Sequence, residues 1–260
     1  MNKKKIKYFK IDKLDKSEVK YGFFSRIGGL SSKNYSSLNC NINSKDKKIN
    51  VIKNINLAQN TLKLKNTKLK FINQTHSAKV EIINERNFRN KTKADGAITK
   101  NKNISLAILT ADCAPIFIYD TKKTFICAIH CGWKGCFKNI ISFAIKKIKL
   151  INKTNNNLIA IVGPCLKKNN FEVDIKFKKK FINKNLKYIR FFNKKDKNSK
   201  IFFDMRGLIN FQLKEMLIKN IYNINKDTYN NSNLFYSHRR TTHKGNLITG
   251  RMINIISFNK

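Results

Sequence analysis

Between Ile104 and Gly135 the chain reads ISLAILTADCAPIFIYDTKKTFICAIHCGWKG, two apolar runs that each stop on a side chain able to bind a metal. ISLAIL (104–109) predicts a buried strand that breaks at Thr110-Ala111-Asp112-Cys113-Ala114-Pro115, and TFICAIH (124–130) predicts a second strand ending on His130 before a Gly-Trp-Lys-Gly turn. Runs this short and this apolar read as buried strands. A thiol and an imidazole at the ends of such strands are held rigidly and remain reachable.

The remaining segments surround that pair with mixed structure. YGFFSRIGGLSSKNYSSLN (21–39) starts as a strand and runs into a Gly/Ser-rich loop, where Gly28-Gly29 permits positive φ and Arg26 offers a cation for an anionic ligand. Apolar residues from Lys47 to Leu62 recur at helical spacing, with Ser44 or Asp46 as cap. Residues 68–84 predict two short strands around Gln74-Thr75-His76-Ser77, so a second histidine sits in a break. Ala94-Asp95-Gly96-Ala97 turns into a further short apolar piece. One helix is expected after Trp133, with Phe137, Ile140, Ile141, Ala144, Ile145 and Ile148 on one face, ending in a KTNNN loop (153–157). LIAIVGPC (158–165) predicts another buried strand, FEVDIKFKKKFI an extended piece entering a helix, and Asp204 a cap for a helix through about Lys219. The tail from Leu234 reads as alternating loop and strand. With no repeat and no linker, the expectation is one domain over residues 1–260, of α/β or mixed α+β class.

No window is long and pure enough for a membrane span, and the basic N-terminus lacks an apolar signal core, so a cytoplasmic protein is expected, with no membrane partner. Six cysteines in 260 residues, without the dense pattern of a small secreted scaffold, suit free thiols in a reducing compartment. The net charge of +40 raises a nucleic-acid-binding alternative. Only 8 of the 55 basic residues are arginine, and the lysines are spread from end to end, so a solvated basic surface is the plainer reading and no specific nucleic acid is expected.

His76, Cys113 and His130 are single polar residues where apolar runs end. Two imidazoles and a thiolate suit zinc or copper, and three protein ligands leave a coordination position for substrate or water. Cys127, Cys131 and Cys136 form a competing cluster for a structural zinc, although Cys127 alternates into the strand and is more simply core. Asp112 is a candidate general acid or base, or the group that orients a ligating imidazole. Cys113 is a candidate nucleophile as well as a ligand.

Read in order, Gln74-Thr75-His76, Ala94-Asp95-Gly96-Ala97, Leu109-Thr110-Ala111-Asp112-Cys113-Ala114-Pro115, His130-Cys131-Gly132-Trp133-Lys134-Gly135, Gly163-Pro164, Phe171-Glu172-Val173, Phe235-Tyr236-Ser237-His238-Arg239-Arg240 and Thr249-Gly250-Arg251 form a string that resembles the YfiH-like family. That family is also called laccase-domain or multicopper polyphenol oxidase, and its members are regarded as purine nucleoside phosphorylases. The resemblance runs from the FFSRIGGLS stretch to the C-terminal Thr-Gly-Arg. It implies an α-β-β-α sandwich with a zinc site at His76, Cys113 and His130, and phosphorolysis of adenosine, inosine, guanosine and methylthioadenosine with adenosine deamination alongside. Phosphate would then meet Arg26 and the Gly28-Gly29 loop, or Arg239, Arg240 and Arg251. Alternatives are a cysteine-type amidase editing peptidoglycan precursors, and a copper polyphenol oxidase, for which three ligands and four histidines are few. The chain departs from the family at Cys131, where Ala is usual, at Lys134, where Arg is common, at His238, where Tyr is common, and at Asp227-Thr228, where a Cys-Thr pair often stands.

Overall fold

A computed structural model describes residues 5–14, 19–152, 157–195, 200–246 and 248–259. In chain order the elements are β1 (Tyr8–Phe9), β2 (Val19–Phe24), α1 (Lys48–Thr61), β3 (Lys68–Phe71), β4 (Val80–Ile82), β5 (Gly96–Thr99), β6 (Ile104–Thr110), β7 (Ala114–Asp120), β8 (Ile126–Cys131), α2 (Trp133–Lys138), α3 (Ile140–Ile151) and β9 (Leu158–Val162). There follow β10 (Glu172–Val173), α4 (Ile175–Lys184), β11 (Phe192–Lys195), β12 (Lys200–Phe203), α5 (Met205–Glu215), β13 (Asn220–Asn223), α6 (His238–His243) and β14 (Met252–Phe258).

The strands form a five-stranded sheet in the order β1-β2-β14-β6-β3, a six-stranded sheet in the order β13-β9-β7-β8-β5-β4, and a small sheet β10-β12-β11. Side-chain alternation explains how they stack. Tyr21, Phe23, Leu106, Ile108 and Ile256 of the first sheet meet Phe117, Tyr119, Ile126, Ala128 and Ile161 of the second in one buried layer. Phe23 and Phe117 stack across it at 4.6 Å between ring centroids. The opposite parity of the six-stranded sheet, with Ile116, Ile118, Cys127, Ile129 and Val162, packs on α3 and α5. The outer parity of the five-stranded sheet, with Phe24, Ala107, Ile253 and Ile255, packs on Ala58 of α1. The architecture is therefore the α-β-β-α sandwich of a mixed α/β protein. Each fully buried aromatic in the middle layer contributes on the order of 2–3 kcal/mol of burial free energy.

The strands expected from the apolar runs form, and the structure adds one between them. Pro115 obscures β7 in the sequence; it is tolerated because it sits at the second residue of the strand. The two strands around His76 exist but lie in different sheets, β3 pairing β6 and β4 pairing β5. The helix expected after Trp133 is two helices. Asn139 takes a left-handed φ of 57°, ends α2 and caps α3 by accepting from Ser142 N. Neither Ser44 nor Asp46 caps α1: Lys47 occupies that position, and Asp46 Oδ1 accepts from the Lys47 amide instead. Asp204 caps α5 through the Gly207 amide, and that helix ends at Glu215, short of Lys219, with Leu217 turning to a φ of 62°. The tail holds a short helix, α6, where only loop and strand were expected. Residues 153–156 of the KTNNN loop lie outside the described residues.

Candidate metal centre

Two connections carry the chain from one sheet to the other at the same end of the sandwich. Residues 72–79 lead from β3 to β4, and Ala111-Asp112-Cys113 leads from β6 to β7. His76 lies on the first crossing and Cys113 on the second. His130 is the next-to-last residue of β8 and pairs with Pro115 of β7, on the strand parity that faces the other sheet. The fold thus brings the three predicted ligands together: their donor atoms all lie within 4.8 Å of one another. Cys113 Sγ and His76 Nε2 are 3.9 Å apart, and the two imidazoles meet edge to face at 4.8 Å between centroids. His76 is exposed, Cys113 half-buried and His130 buried, so the group opens to solvent on one side.

The carboxylate that organises these residues is Asp95, which the sequence offered only as part of a turn. Asp95 is fully buried, and its Oδ1 accepts from His130 Nδ1 at 2.8 Å. Burial would raise this carboxyl, but hydrogen bonds from His130 and Ser77 outweigh it and hold the group below the usual carboxylate range. As an ionised acceptor, it requires the proton of His130 to sit on Nδ1, which turns Nε2 toward the ligand group. The same carboxylate accepts from the amides of Thr75, His76 and Ser77 and from both side-chain hydroxyls. That grip holds His76 at a φ of 56°, a conformation that non-glycine residues seldom adopt. A signal was present in the Ala-Asp-Gly-Ala string, yet Asp95 acts on residues 35 and 19 positions away, which spacing does not reveal.

The charge on the thiol follows from the same contacts. Burial works to raise Cys113, but the His130 charge and hydrogen bonds from both histidines win and bring it down to about 6. Burial likewise works to lower His130, and the Cys113 thiolate with Asp95 pushes it up to about 10. Without a metal the pair is a thiolate beside an imidazolium. Gly132 keeps space for this sulfur, since a Cβ there would lie 2.6 Å from Cys113 Sγ. A thiolate and two imidazoles, one fixed by a carboxylate behind it, fit a borderline-soft divalent ion of the zinc or copper kind.

Asp112 does not orient an imidazole. Its carboxylate accepts from Thr228 Oγ1 at 2.6 Å, Ser237 Oγ at 3.0 Å and the Arg239 amide at 2.7 Å, tying the second crossing to the start of α6. Its φ of 83° is one that Asp tolerates better than most residues. The cysteine alternative also separates from the centre. Cys131, on the other parity of β8, and Cys136 of α2 are buried with their sulfurs 3.5 Å apart, and Cys127 is core. Among the described residues, the group able to hold a metal is the His76, Cys113 and His130 set alone.

The phosphate candidates divide. Burial lowers the Arg251 guanidinium, opposed by the charges of Cys113, Asp112 and Tyr35. Its Nη1 donates to the Thr249 and Gly250 carbonyls. Arg240 is committed to the fold: Nη1 donates to Thr228 O and Tyr229 O, and Nη2 to Phe235 O. Arg239 donates Nη1 to Glu172 O and lies over Phe171. Arg26 stacks on Tyr236 and donates to the carbonyls of Ser36 and Ser232. Gly28 takes a φ of 94° against Ile6, and a Cβ on Gly29 would lie 2.2 Å from Ser37 O. Both glycines are demanded by close packing of the chain on itself. Gly28 lines a 460 Å³ cavity with Lys5, Lys53 and Leu57, which shares no lining residue with the centre.

Comparison with known proteins gives a consistent picture. A family described as multi-copper polyphenol oxidoreductase laccase matches residues 20–259. A Rickettsia prowazekii protein named purine nucleoside phosphorylase is 33% identical over 225 residues, covering 86% of this chain and 90% of that one. A Bacillus subtilis protein of the same name is 32% identical over 166 residues, covering 60% of each chain. The structure of the Bacillus licheniformis hypothetical protein YfiH superposes with a TM-score of 0.87 at 26% identity, covering 99% of this chain and 100% of that one. A Neisseria meningitidis protein shares the fold at a TM-score of 0.84 and 23% identity, covering 98% and 99%.

Proposed function

The chain belongs to the multi-copper polyphenol oxidoreductase laccase family, and on that premise we propose that it is a zinc-dependent purine nucleoside phosphorylase. The observation that carries the metal part is the open group of His76, Cys113 and His130, with Cys113 already ionised near neutral pH. The name carried by its relatives supports the nucleoside part. A bound zinc would supply Lewis acidity to a substrate oxygen or water at the open face. In phosphorolysis a phosphate oxygen bonds to the ribose C1′ while the bond to the purine nitrogen breaks and the base leaves with a proton. Arg251 is the favoured cation for the phosphate, since its guanidinium interacts with the charges of Cys113 and Asp112 and donates through Nη1 to the Thr249 and Gly250 carbonyls. Asp112, with three donors already on its carboxylate, positions the Cys113 turn against α6, and a proton-transfer role has less support. Adenosine deamination is part of the proposal, because a metal held by His76, Cys113 and His130 would also supply the Lewis acidity for water to replace the purine amino group with release of ammonia. Several copper centres would need further groups of this kind, and the described residues hold one.

The test is inosine turnover by zinc-loaded protein with and without phosphate. Hypoxanthine and ribose 1-phosphate formed only with phosphate, and lost in Cys113→Ala, is the expected result. Phosphate-independent release would overturn it. A second reading, a cysteine hydrolase acting on amides, rests on the Cys113 thiol lying at about 6 beside His130. It predicts a covalent acyl adduct on Cys113 with amide substrates and full activity in chelator.

A further inference from the structure

The basic character of this chain is not uniform. From Ile175 to Arg190, which spans α4 and the following 3-10 turn (Leu186–Phe191), 7 of 16 residues are Lys or Arg and none is Asp or Glu, against 55 basic residues in 260 overall. Phe177 and Phe181 turn α4 toward the core, where they stack at 4.9 Å. At 100° per residue the opposite face of the helix carries Ile175 and Ile182, seven apart, with Lys176 and Lys179 beside them. A solvent face would be expected to be polar throughout. Instead Ile175 is 51% exposed, and in the 3-10 turn, where residues three apart eclipse, Leu186 is 77% and Ile189 54% exposed. Lys180 reaches over Trp133 and Phe137, and Lys184 over Phe137.

We propose that α4 and the 3-10 turn after it form a surface that lies on an anionic lipid bilayer, with Ile175, Leu186 and Ile189 entering the headgroup boundary and the flanking lysines on the acidic headgroups. No helix among the described residues is long and apolar enough to cross a membrane, so the contact is in the plane of the interface. Charge complementarity selects an anionic partner. The exposed aliphatic side chains select a lipid over a nucleic acid, whose phosphates would be met by the lysines alone and whose bases favour arginine and aromatic contacts. The nearest acidic groups are already engaged: Asp174 Oδ1 caps α4 by accepting from Phe177 N, and Glu172 pairs with Lys200 at 3.5 Å.

The experiment is co-sedimentation of the full chain with phosphatidylcholine vesicles with and without phosphatidylserine. It compares Leu186→Ser/Ile189→Ser, Lys176→Glu/Lys179→Glu, and a control reversal at the exposed Lys100 and Lys102, with circular dichroism to verify folding. The expected result is binding only to the anionic vesicles, weakened about tenfold by each of the first two pairs and unchanged by the control. No sedimentation with anionic vesicles overturns the proposal. So does equal weakening by the control, which would mean general electrostatic adsorption. Binding indifferent to the Leu186/Ile189 pair also overturns it, since the lysines alone would then hold the headgroups and no aliphatic side chain would enter the boundary.

Discussion

Strand β8 carries two kinds of thiol environment on its two faces. Toward the five-stranded sheet, His130 meets Cys113, and the thiol is brought down to about 6 although burial opposes it. Toward the helices, Cys127 of β8 and Cys136 of α2 have no such partner; burial pushes Cys127 up and, with the Cys131 contact, Cys136 well above the ordinary thiol range. Cys165, beside Arg206 at 3.1 Å, is pushed up to about 11, burial outweighing the guanidinium. Burial raises every one of these sulfurs. What separates the ionised thiol from the inert ones is a buried imidazolium that a carboxylate has already neutralised from behind.

The strongest way to break this contrast is to exchange the faces. Cys113→Ala is expected to take bound zinc from about one per chain to near none and to abolish turnover, whereas Cys136→Ala keeps both, read by metal analysis and inosine assay. If Cys136→Ala lost the metal instead, the assignment of faces would fail. A smaller effect is expected behind the site. Asp95→Asn keeps the shape but frees the His130 tautomer, so metal affinity should fall about 10- to 100-fold, measured by chelator competition. An unchanged affinity would reduce Asp95 to a loop anchor. The mildest test leaves the sequence untouched. Iodoacetamide labelling of metal-free protein should modify Cys113 with a rate that falls as pH drops through about 6, while Cys127 and Cys136 stay unlabelled until unfolding. A midpoint near that of an ordinary thiol would remove the electrostatic distinction.

The contrast also marks what a reader of the sequence can obtain. His76, Cys113 and His130 were legible because each interrupts an apolar run, β6, β8 and β9 because they are short unbroken apolar runs, and α1 because its apolar residues recur at helical spacing. Parity alone would have placed Cys131 opposite His130, yet proximity in sequence suggested a shared cluster. Asp95 was hidden because its function is a contact across 35 residues, and the split at Asn139 because a left-handed asparagine leaves the apolar spacing nearly intact. The fate of the arginines was hidden for a related reason. Only the folded chain shows that Arg240 is consumed by carbonyls while the charge of Arg251 is coupled to the thiolate.

Strand β14 lies between β2 and β6 in the five-stranded sheet, pairing Ile255 with Gly22 on one side and Ala107 on the other. A ribosome therefore releases β2 and β6 long before the strand that joins them. Until Met252–Phe258 emerges, the nascent chain carries two apolar strands with open edges, the state in which polypeptides stick to each other. Cys113 follows directly on β6, and the groups that hold Asp112, namely Thr228, Ser237 and the Arg239 amide, are also made late. Although His76, Cys113 and His130 are all made earlier, the turn that carries Cys113 is therefore held only once residues 228–239 and β14 have been added.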